Sequence, residues 1–295
     1  GFGLTYSLVG KGGPNGGWKQ WYRKRLLRLF PLYWLAHLIY LVAPFISRKD
    51  AIDYRFLLSF LGDRFYPPDT LFYYLVPAWW YFGLIIQLYL VFPLLFRLLQ
   101  KLGPVRFLAL CISATIVTRY LLVDVFHANG NYPQGAFFMG RLWEFAMGMV
   151  LAYWYHRQPE RVEKHLFAGR TFLAGIAIYI IGTYSYRPVF FHALTDGLIG
   201  LGLTLIIAQC AHRIDRLPIL RSPLDKVGEY SYGLYLLHQP FLLYVGQRLH
   251  DDPMPYFLLY AFLVLGTIFI LSMFLEKNIN TLISNHFDRL GTNRS

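Results

Sequence analysis

The chain has 295 residues, of which 56% are hydrophobic, 19% aromatic and only 15% charged. A typical soluble domain carries about 25% charged residues, so the composition excludes an ordinary soluble protein and indicates a protein embedded in a membrane. The formal net charge of +12 would suggest nucleic acid as a partner of a soluble protein. In a membrane protein, basic loops on one side of the bilayer account for this charge, so nucleic acid is excluded as a partner.

Eight apolar stretches have the length and composition of membrane-spanning helices, which need about 20 mainly apolar residues. They lie at 29–46, 78–98, 107–123, 137–155, 171–186, 193–211, 231–249 and 256–275. Residues 1–9 read as the end of one more helix, and the first residue is not Met, so we expect the N-terminus to be truncated. The predicted fold is one all-α domain over residues 1–295, a polytopic membrane helix bundle.

Lysine and arginine alternate between the loops in the way that fixes the orientation of a membrane protein. If the segment before residue 29 is cytoplasmic, the loops on that side hold 20 Lys and Arg. The opposite loops then hold five, namely Arg48, Lys49, Arg55, Arg64 and Arg187. This asymmetry predicts a cytoplasmic C-terminus. The one long loop, 47–77, contains an apolar patch at 56–61, so part of it is expected to be buried or re-entrant.

A basic cluster, Arg23, Lys24, Arg25 and Arg28, directly precedes the first long apolar run, which contains Pro31. One interpretation is a cytoplasmic flank that fixes the topology. The other is an anion site at the entrance of a membrane helix. Arg25 and Arg28 are three residues apart and share a helix face, and two guanidinium groups on one face suit phosphate oxygens.

Charged side chains at membrane depth are functional candidates, because each costs at least about 2.5–3.5 kcal/mol on insertion scales. Arg141 and Glu144 are spaced i, i+3 and can pair, either as part of a site or as a neutralised pair that orients its helix. Arg119, near an outer helix end, is interpreted as a snorkelling side chain. His37 and Asp196 are weaker candidates, since no motif surrounds them.

His238 lies on one helical stripe with Ser231 and Tyr235, and Pro240 frees a backbone carbonyl near it. This histidine is either a general base for a substrate hydroxyl or a core histidine bonded to a neighbouring helix. Gln87 lies in the middle of a predicted crossing, where it either lines a substrate path or links helices through hydrogen bonds.

Several kinds of chemistry have no support in the sequence. The chain contains no Walker loop, no GxGxxG, no HExxH and no Gly-x-Ser-x-Gly elbow. Cys111 and Cys210 both lie in apolar runs and have neither a disulfide framework nor metal-ligand spacing. The sequence therefore predicts no metal site.

Four stretches, in this order, resemble the acyltransferase family 3 membrane proteins: 1–7 running into 22–33, 80–93, 141–148 and 228–240. That family includes bacterial O-acyltransferases of surface polysaccharides and relatives that act on macrolides. The resemblance implies a ten-helix bundle in the bacterial inner membrane. It also implies transfer of an acyl group, usually acetyl, from acyl-CoA to a hydroxyl of a glycan, a lipid-linked sugar or a similar acceptor. Arg25 and Arg28, with Lys24 beside them, would then belong to the cytoplasmic donor site.

Two departures from the family pattern affect the predicted site. The family's first helix carries a histidine that is central to catalysis, and that helix is expected to be the missing one. Part of the family has an acidic residue where Ile85 stands. The predicted catalytic residues are therefore His238, Glu144 and Arg141, and the predicted substrate-lining residues are Gln87, Tyr235 and Ser231.

Two other functions stay open. A transporter or flippase for an anionic lipid or glycan would line its pathway with the same polar groups. The sequence shows neither a repeated half nor paired broken helices, which are the usual signs of a transporter. An inactive fragment is the third possibility, because of the expected truncation.

Overall fold

The computed structural model describes residues 1–42, 52–128, 130–185, 192–248 and 254–292, and within these ranges the chain forms thirteen α-helices and no strand. The helices are α1 (Phe2–Val9), α2 (Gly17–Val42), α3 (Tyr54–Phe60), α4 (Pro68–Leu71), α5 (Trp80–Leu102), α6 (Pro104–Tyr120), α7 (Leu142–Arg157), α8 (Pro159–Leu166), α9 (Gly169–Tyr184), α10 (His192–Ile214), α11 (Pro218–Glu229), α12 (Ser231–Arg248) and α13 (Met254–Thr292). The predicted all-α fold is confirmed.

Each of the eight predicted crossings falls on a helix, and the predicted remnant falls on α1. Five ranges are long and apolar enough to span a membrane: Gly17–Val42, Pro77–Leu102, Pro104–Val125, Leu194–Ile214 and Met254–Leu282. A sixth is obtained if α8 and α9, which bend by 64°, count as one span. This confirms a polytopic membrane protein. The other two predicted crossings, α7 and α12, are only 16 and 18 residues long.

Some sequence predictions lie outside the described residues. These are the predicted helix limits at 43–46, 186 and 249, and the predicted outer basic residues Arg48, Lys49 and Arg187.

The helices form two compact units. The first unit comprises Gly1–Trp18, Phe65–Phe72 and Tyr81–Arg221, and the second comprises Lys19–Arg64, Tyr73–Trp80 and Ser222–Ser295. The first therefore contains α6 to α10 and most of α5, and the second contains α2, α3, α12 and α13. The single domain predicted over residues 1–295 stays a prediction.

Within the first unit, α9 and α10 pack closely along glycines. A Cβ atom at Gly202 would lie 2.6 Å from the backbone nitrogen of Tyr179 and 2.8 Å from the carbonyl oxygen of Gly175. A Cβ atom at Gly182 would lie 2.8 Å from the backbone nitrogen of Ile199. Lipid tails are as apolar as leucine, so helices in a bilayer associate through such close contact of small residues.

We expect Gly202→Ala to destabilise the protein by about 1–3 kcal/mol. The new methyl group overlaps backbone atoms of α9, so it can be accommodated only if the two helices move apart. The measurement is thermal unfolding of the purified protein in detergent. Gly200→Ala is the matched control, since it adds the same methyl group to the same helix where no atom lies within 4 Å. Equal unfolding temperatures for the two variants would contradict the packing role of Gly202.

The second unit has a buried arginine at its centre. Arg64 is 1% exposed, and its Nη1 donates to the carbonyl oxygen of Tyr74 at 2.7 Å. Its Nη2 donates to Ser59 Oγ at 2.7 Å and to the Tyr33 hydroxyl at 3.2 Å. Arg64, which the sequence analysis counts among the basic residues of the outer loops, is therefore a buried residue of the loop 47–77. Side-chain and backbone oxygens enclose its guanidinium group instead.

His37 extends the same buried cluster and joins α3 to α2. Its Nδ1 lies 2.9 Å from the carbonyl oxygen of Tyr33, and its Nε2 lies 2.9 Å from Ser59 Oγ. A carbonyl oxygen only accepts, so Nδ1 carries the proton and Nε2 accepts from the Ser59 hydroxyl. The His37 ring stacks on Trp79 with centroids 4.3 Å apart. His37 and Ser59 are both fully buried, which confirms that part of the loop 47–77 is buried and gives this serine–histidine pair a structural role.

Trp79 also connects to α12 through the helix defect at Pro240. Proline has no N–H, so the carbonyl of Leu236, four residues earlier, loses its partner within the helix. The indole Nε1 of Trp79 donates to this oxygen at 2.9 Å. The prediction that Pro240 frees a carbonyl is confirmed, and Trp79 is the donor that binds it.

Candidate functional site

A network of four charged side chains lies in the first unit. Asp196 Oδ2 is 2.9 Å from Arg119 Nη2 and 3.0 Å from Arg141 Nη1. Glu144 Oε1 is 3.5 Å from Arg141 Nη1 and 4.0 Å from Arg119 Nη2. The predicted pairing of Arg141 with Glu144 is confirmed. Two guanidinium groups and two carboxylates give the network no net formal charge, which limits the cost of placing it in a membrane protein.

The interpretation of Arg119 as a snorkelling side chain is wrong. The residue is only 7% exposed, and its Nε donates to the carbonyl oxygen of Gly140 at 2.9 Å. A snorkelling arginine extends toward the headgroups, whereas this one points to a carboxylate and a carbonyl within its own unit. The partner, Asp196, is 77 residues away in the sequence, so no local motif could indicate the pair.

Side chains of α6 complete the start of α7. The backbone N–H of Trp143 lies in the first turn, where it has no partner within the helix. It donates to Thr115 Oγ1 at 3.3 Å. Together with the bond from Arg119 to Gly140, this contact fixes the beginning of the helix that carries Glu144.

Gln87 bridges α5 to the segment before α7. Its Nε2 donates to the carbonyl oxygen of Ala136 at 2.8 Å, and its Oε1 accepts from the backbone N–H of Phe138 at 3.1 Å. This arrangement agrees with the interpretation of Gln87 as a link between helices. Its predicted substrate-lining role stays a prediction, and both ends of its amide are already bound.

In the second unit, His238 is held in one tautomer. Its Nδ1 lies 2.8 Å from the carbonyl oxygen of Tyr235 and 3.1 Å from that of Leu234. Both partners only accept, so the proton is on Nδ1 and the lone pair is on Nε2. Among the described residues, none forms a hydrogen bond with Nε2. His238 therefore has the form of an oriented base with an available lone pair.

His238 lies at one end of a groove of about 630 Å³ between α12 and α13. The groove follows α12 from His238 to Gln247, and Phe257 of α13 contributes to its wall. Its lining is mainly apolar and consists of His238, Gln239, Leu242, Leu243, Gly246, Gln247 and Phe257. An apolar groove with a histidine at one end has the composition that is usual for a ligand site.

The other two residues of the predicted stripe do not line this groove. The Tyr235 hydroxyl donates to the carbonyl oxygen of Ala78 at 2.6 Å. Ser231 is exposed, and its Oγ donates to the carbonyl oxygen of Gly228 at 2.8 Å. The structure thus gives both side chains partners on the backbone, and their predicted substrate-lining roles stay predictions.

The predicted donor residues lie in the third and fourth turns of α2, also in the second unit. Lys24 and Arg28 are exposed, and the half-buried Arg25 holds its guanidinium carbon 5.6 Å from the centroid of the Trp21 ring. Neither arginine lines the groove at His238. Arg28 also interacts electrostatically with Glu276 of α13. The arrangement leaves cationic groups available to an anion along the N-terminal half of α2.

A comparison with known protein families identifies the family of this chain. The model of the acyltransferase family 3 domain, described as an acyltransferase domain, matches residues 1–273. The chain belongs to acyltransferase family 3. No match was found among curated proteins or among solved structures.

Family membership makes the protein a membrane acyltransferase that transfers groups other than aminoacyl groups. The match covers the residues of both units, so the charge network and the groove at His238 both belong to the acyltransferase domain. Within the part of the chain that the structure describes, no three His, Cys, Asp or Glu residues are grouped as metal ligands.

Proposed function

We propose that the protein transfers an acyl group, acetyl in the simplest case, from acyl-CoA to a hydroxyl of a glycan, a lipid-linked sugar or a similar acceptor. The bacterial inner membrane, with the C-terminus in the cytoplasm, is the proposed location. The observation that supports this proposal most is the fixed tautomer of His238, a residue that lines the groove and whose Nε2 forms no hydrogen bond with any described residue.

The proposed reaction needs one base and one leaving group. His238 Nε2 takes the proton of the acceptor hydroxyl while the hydroxyl oxygen bonds to the thioester carbon. The carbon–sulfur bond then breaks, and the CoA thiolate takes up the proton from the imidazolium. The products are the ester and CoA–SH, with the histidine returned to its neutral form.

The donor is proposed to bind through its phosphates at Arg25 and Arg28. Charged hydrogen bonds between guanidinium groups and phosphate oxygens are strong and directional. Lys24 adds a third positive charge to the same half of α2. The exposure of Lys24 and Arg28 supports the donor assignment, because it leaves their charged groups accessible to phosphate oxygens.

The test uses the protein in lipid nanodiscs with radiolabelled acetyl-CoA and octyl glucoside as the hydroxyl acceptor. Arg25→Ala combined with Arg28→Ala is expected to raise the KM for acetyl-CoA by about 10- to 100-fold, because charged hydrogen bonds to the phosphates are lost. The KM for octyl glucoside should change by less than about twofold.

Lys101→Ala combined with Arg106→Ala is the matched control. It removes the same amount of charge from exposed positions on the side of the membrane predicted to be cytoplasmic. An unchanged KM for acetyl-CoA in the Arg25/Arg28 variant, or an equal rise in the control, would contradict the donor site. Absence of labelled ester with the unmodified protein would contradict the proposed function with this acceptor class.

A further inference from the structure

The start of α12 lies beside the residues proposed to bind the donor phosphates. The Tyr232 hydroxyl donates to the carbonyl oxygen of Leu29 at 2.8 Å, and Leu29 directly follows Arg28 in α2. Glu276 of α13, which interacts electrostatically with Arg28, accepts a hydrogen bond from the backbone N–H of Gly233 at 2.6 Å. Arg28 and the first turn of α12 are therefore neighbours within the second unit.

α12 and α13 are in close contact at this end and less so at the other. A Cβ atom at Gly233 would lie 2.8 Å from Glu276 Oε1 and 2.9 Å from Ser272 Cβ, which is closer than ordinary van der Waals contact. A Cβ atom at Gly246 would instead meet the Phe257 ring at 3.9 Å, an ordinary contact distance. The space between the two helices therefore opens toward the C-terminal end of α12, where the groove lies.

His238 lies between the donor end of α12 and the groove. It follows Tyr232 by six residues, a rise of about 9 Å, and the groove continues to Gln247 over a further rise of about 13 Å. In an acyl thioester, the acyl chain extends from the thioester carbon away from the CoA phosphates. With the phosphates at Arg28 and the thioester carbon at His238, the acyl chain therefore points along the groove.

The groove has the lining and the length that suit an alkyl chain. Beyond His238, its apolar lining is formed by Leu242, Leu243, Gly246 and Phe257. An extended chain advances about 1.2 Å per bond, so a groove about 13 Å long holds a chain of about ten carbons. An acetyl group has a single carbon beyond the thioester carbon and would leave most of the groove unfilled.

We propose that the groove between α12 and α13 holds the acyl chain of the donor, so that the protein transfers acyl groups of about eight to ten carbons in preference to acetyl. This inference rests on the proposed function, and it names the class of donor that the proposed function leaves open. Gly246, near the far end of the groove, leaves room for the end of the chain.

A larger side chain at Gly246 tests this assignment, because it fills the far end of the groove and leaves His238 unchanged. Gly246→Leu is compatible with the fold, since the Cβ position is in ordinary contact with Phe257 and leucine favours a helix more than glycine does. Gly266→Leu is the matched control. It makes the same substitution in α13, at an exposed position outside the groove where a Cβ atom meets no described atom within 4 Å.

The measurement is kcat/KM for acetyl-CoA and for octanoyl-CoA, with octyl glucoside as the acceptor and the protein in lipid nanodiscs. For the unmodified protein we expect the octanoyl-CoA value to exceed the acetyl-CoA value by about tenfold or more, because buried methylene groups add binding energy. Gly246→Leu should lower the octanoyl-CoA value by about tenfold or more and change the acetyl-CoA value by less than about twofold. Gly266→Leu should change neither value by more than about twofold.

The outcomes separate this inference from the proposed function. A preference of the unmodified protein for acetyl-CoA would overturn the inference, and so would an unchanged ratio of the two values in Gly246→Leu. A higher KM for octyl glucoside without a change in that ratio would assign the groove to the tail of the acceptor, and equal losses in both leucine variants would make the effect non-specific. Either result would overturn the inference while acyl transfer itself continues. Failure of the unmodified protein to form an ester from either donor would instead contradict the proposed function.

Discussion

Substitution of His238 by asparagine is expected to lower kcat by about 10²- to 10⁴-fold, the range that a lost general base usually costs. The asparagine amide can still donate to the carbonyl oxygens of Leu234 and Tyr235, as Nδ1 of the histidine does. It has no counterpart of the Nε2 lone pair. The variant therefore removes the base and preserves the local hydrogen bonds, so unfolding temperature and the KM for acetyl-CoA should change little.

Single-turnover transfer of labelled acetyl to octyl glucoside in nanodiscs is the appropriate measurement. His165→Asn serves as the control, because His165 is an exposed histidine whose contact is with Arg170. Activity of the His238→Asn variant within about threefold of the unmodified protein would exclude His238 as the base and leave it as a structural residue of α12.

Replacing Arg64 with methionine is expected to reduce the stability of the second unit by about 3 kcal/mol or more. The substitution removes three buried hydrogen bonds that a charged guanidinium group donates to oxygens of Ser59, Tyr33 and Tyr74, and such bonds contribute about 1.5–3 kcal/mol each. Methionine has a comparable length and is apolar, so a large cavity does not contribute. We expect a much lower unfolding temperature in detergent and a lower folded yield.

Arg55→Met provides the comparison in the same region of the chain. Arg55 forms a partly exposed ion pair with Asp53 at 2.8 Å, and such pairs contribute about 0–1 kcal/mol. If the two methionine variants unfold at the same temperature, the buried hydrogen bonds of Arg64 do not determine the stability of the unit.

The sequence was sufficient to predict the class of fold and the helices that carry the site, because long apolar runs and short basic loops follow directly from the properties of a bilayer. It also predicted two local features. One is the pairing of Arg141 with Glu144, and the other is the backbone carbonyl that Pro240 leaves without a partner in the helix. Both depend on helix spacing over a few residues, which can be read without knowing the tertiary structure.

The contacts that the sequence did not reveal are all long-range. Sequence alone assigns Arg119 to a helix end and Arg64 to a loop. In the structure, Arg119 binds Asp196, which is 77 residues away, and Arg64 binds Tyr33, which is 31 residues away. His37 and Asp196 had no motif around them, and their partners lie on other segments of the chain. A charged residue in a mainly apolar chain signals that a partner exists, but only the tertiary structure identifies it.

The predicted functional residues divide between the two units in a way that the sequence did not indicate. Arg25, Arg28 and His238 belong to the second unit, and Gln87, Arg141 and Glu144 belong to the first. The proposed donor site and the proposed base, His238, therefore both belong to the second unit.

The bond between the Trp79 indole and the carbonyl of Leu236 has a consequence for biosynthesis. These residues are 157 positions apart, so the ribosome needs roughly 8 to 30 s to reach the second after making the first. During that interval the nascent chain holds α2 and α3 without the helix that completes their packing. Residues 81–221, in contrast, are contiguous and can assemble as they emerge. The second unit is therefore completed only after α12 has been synthesised.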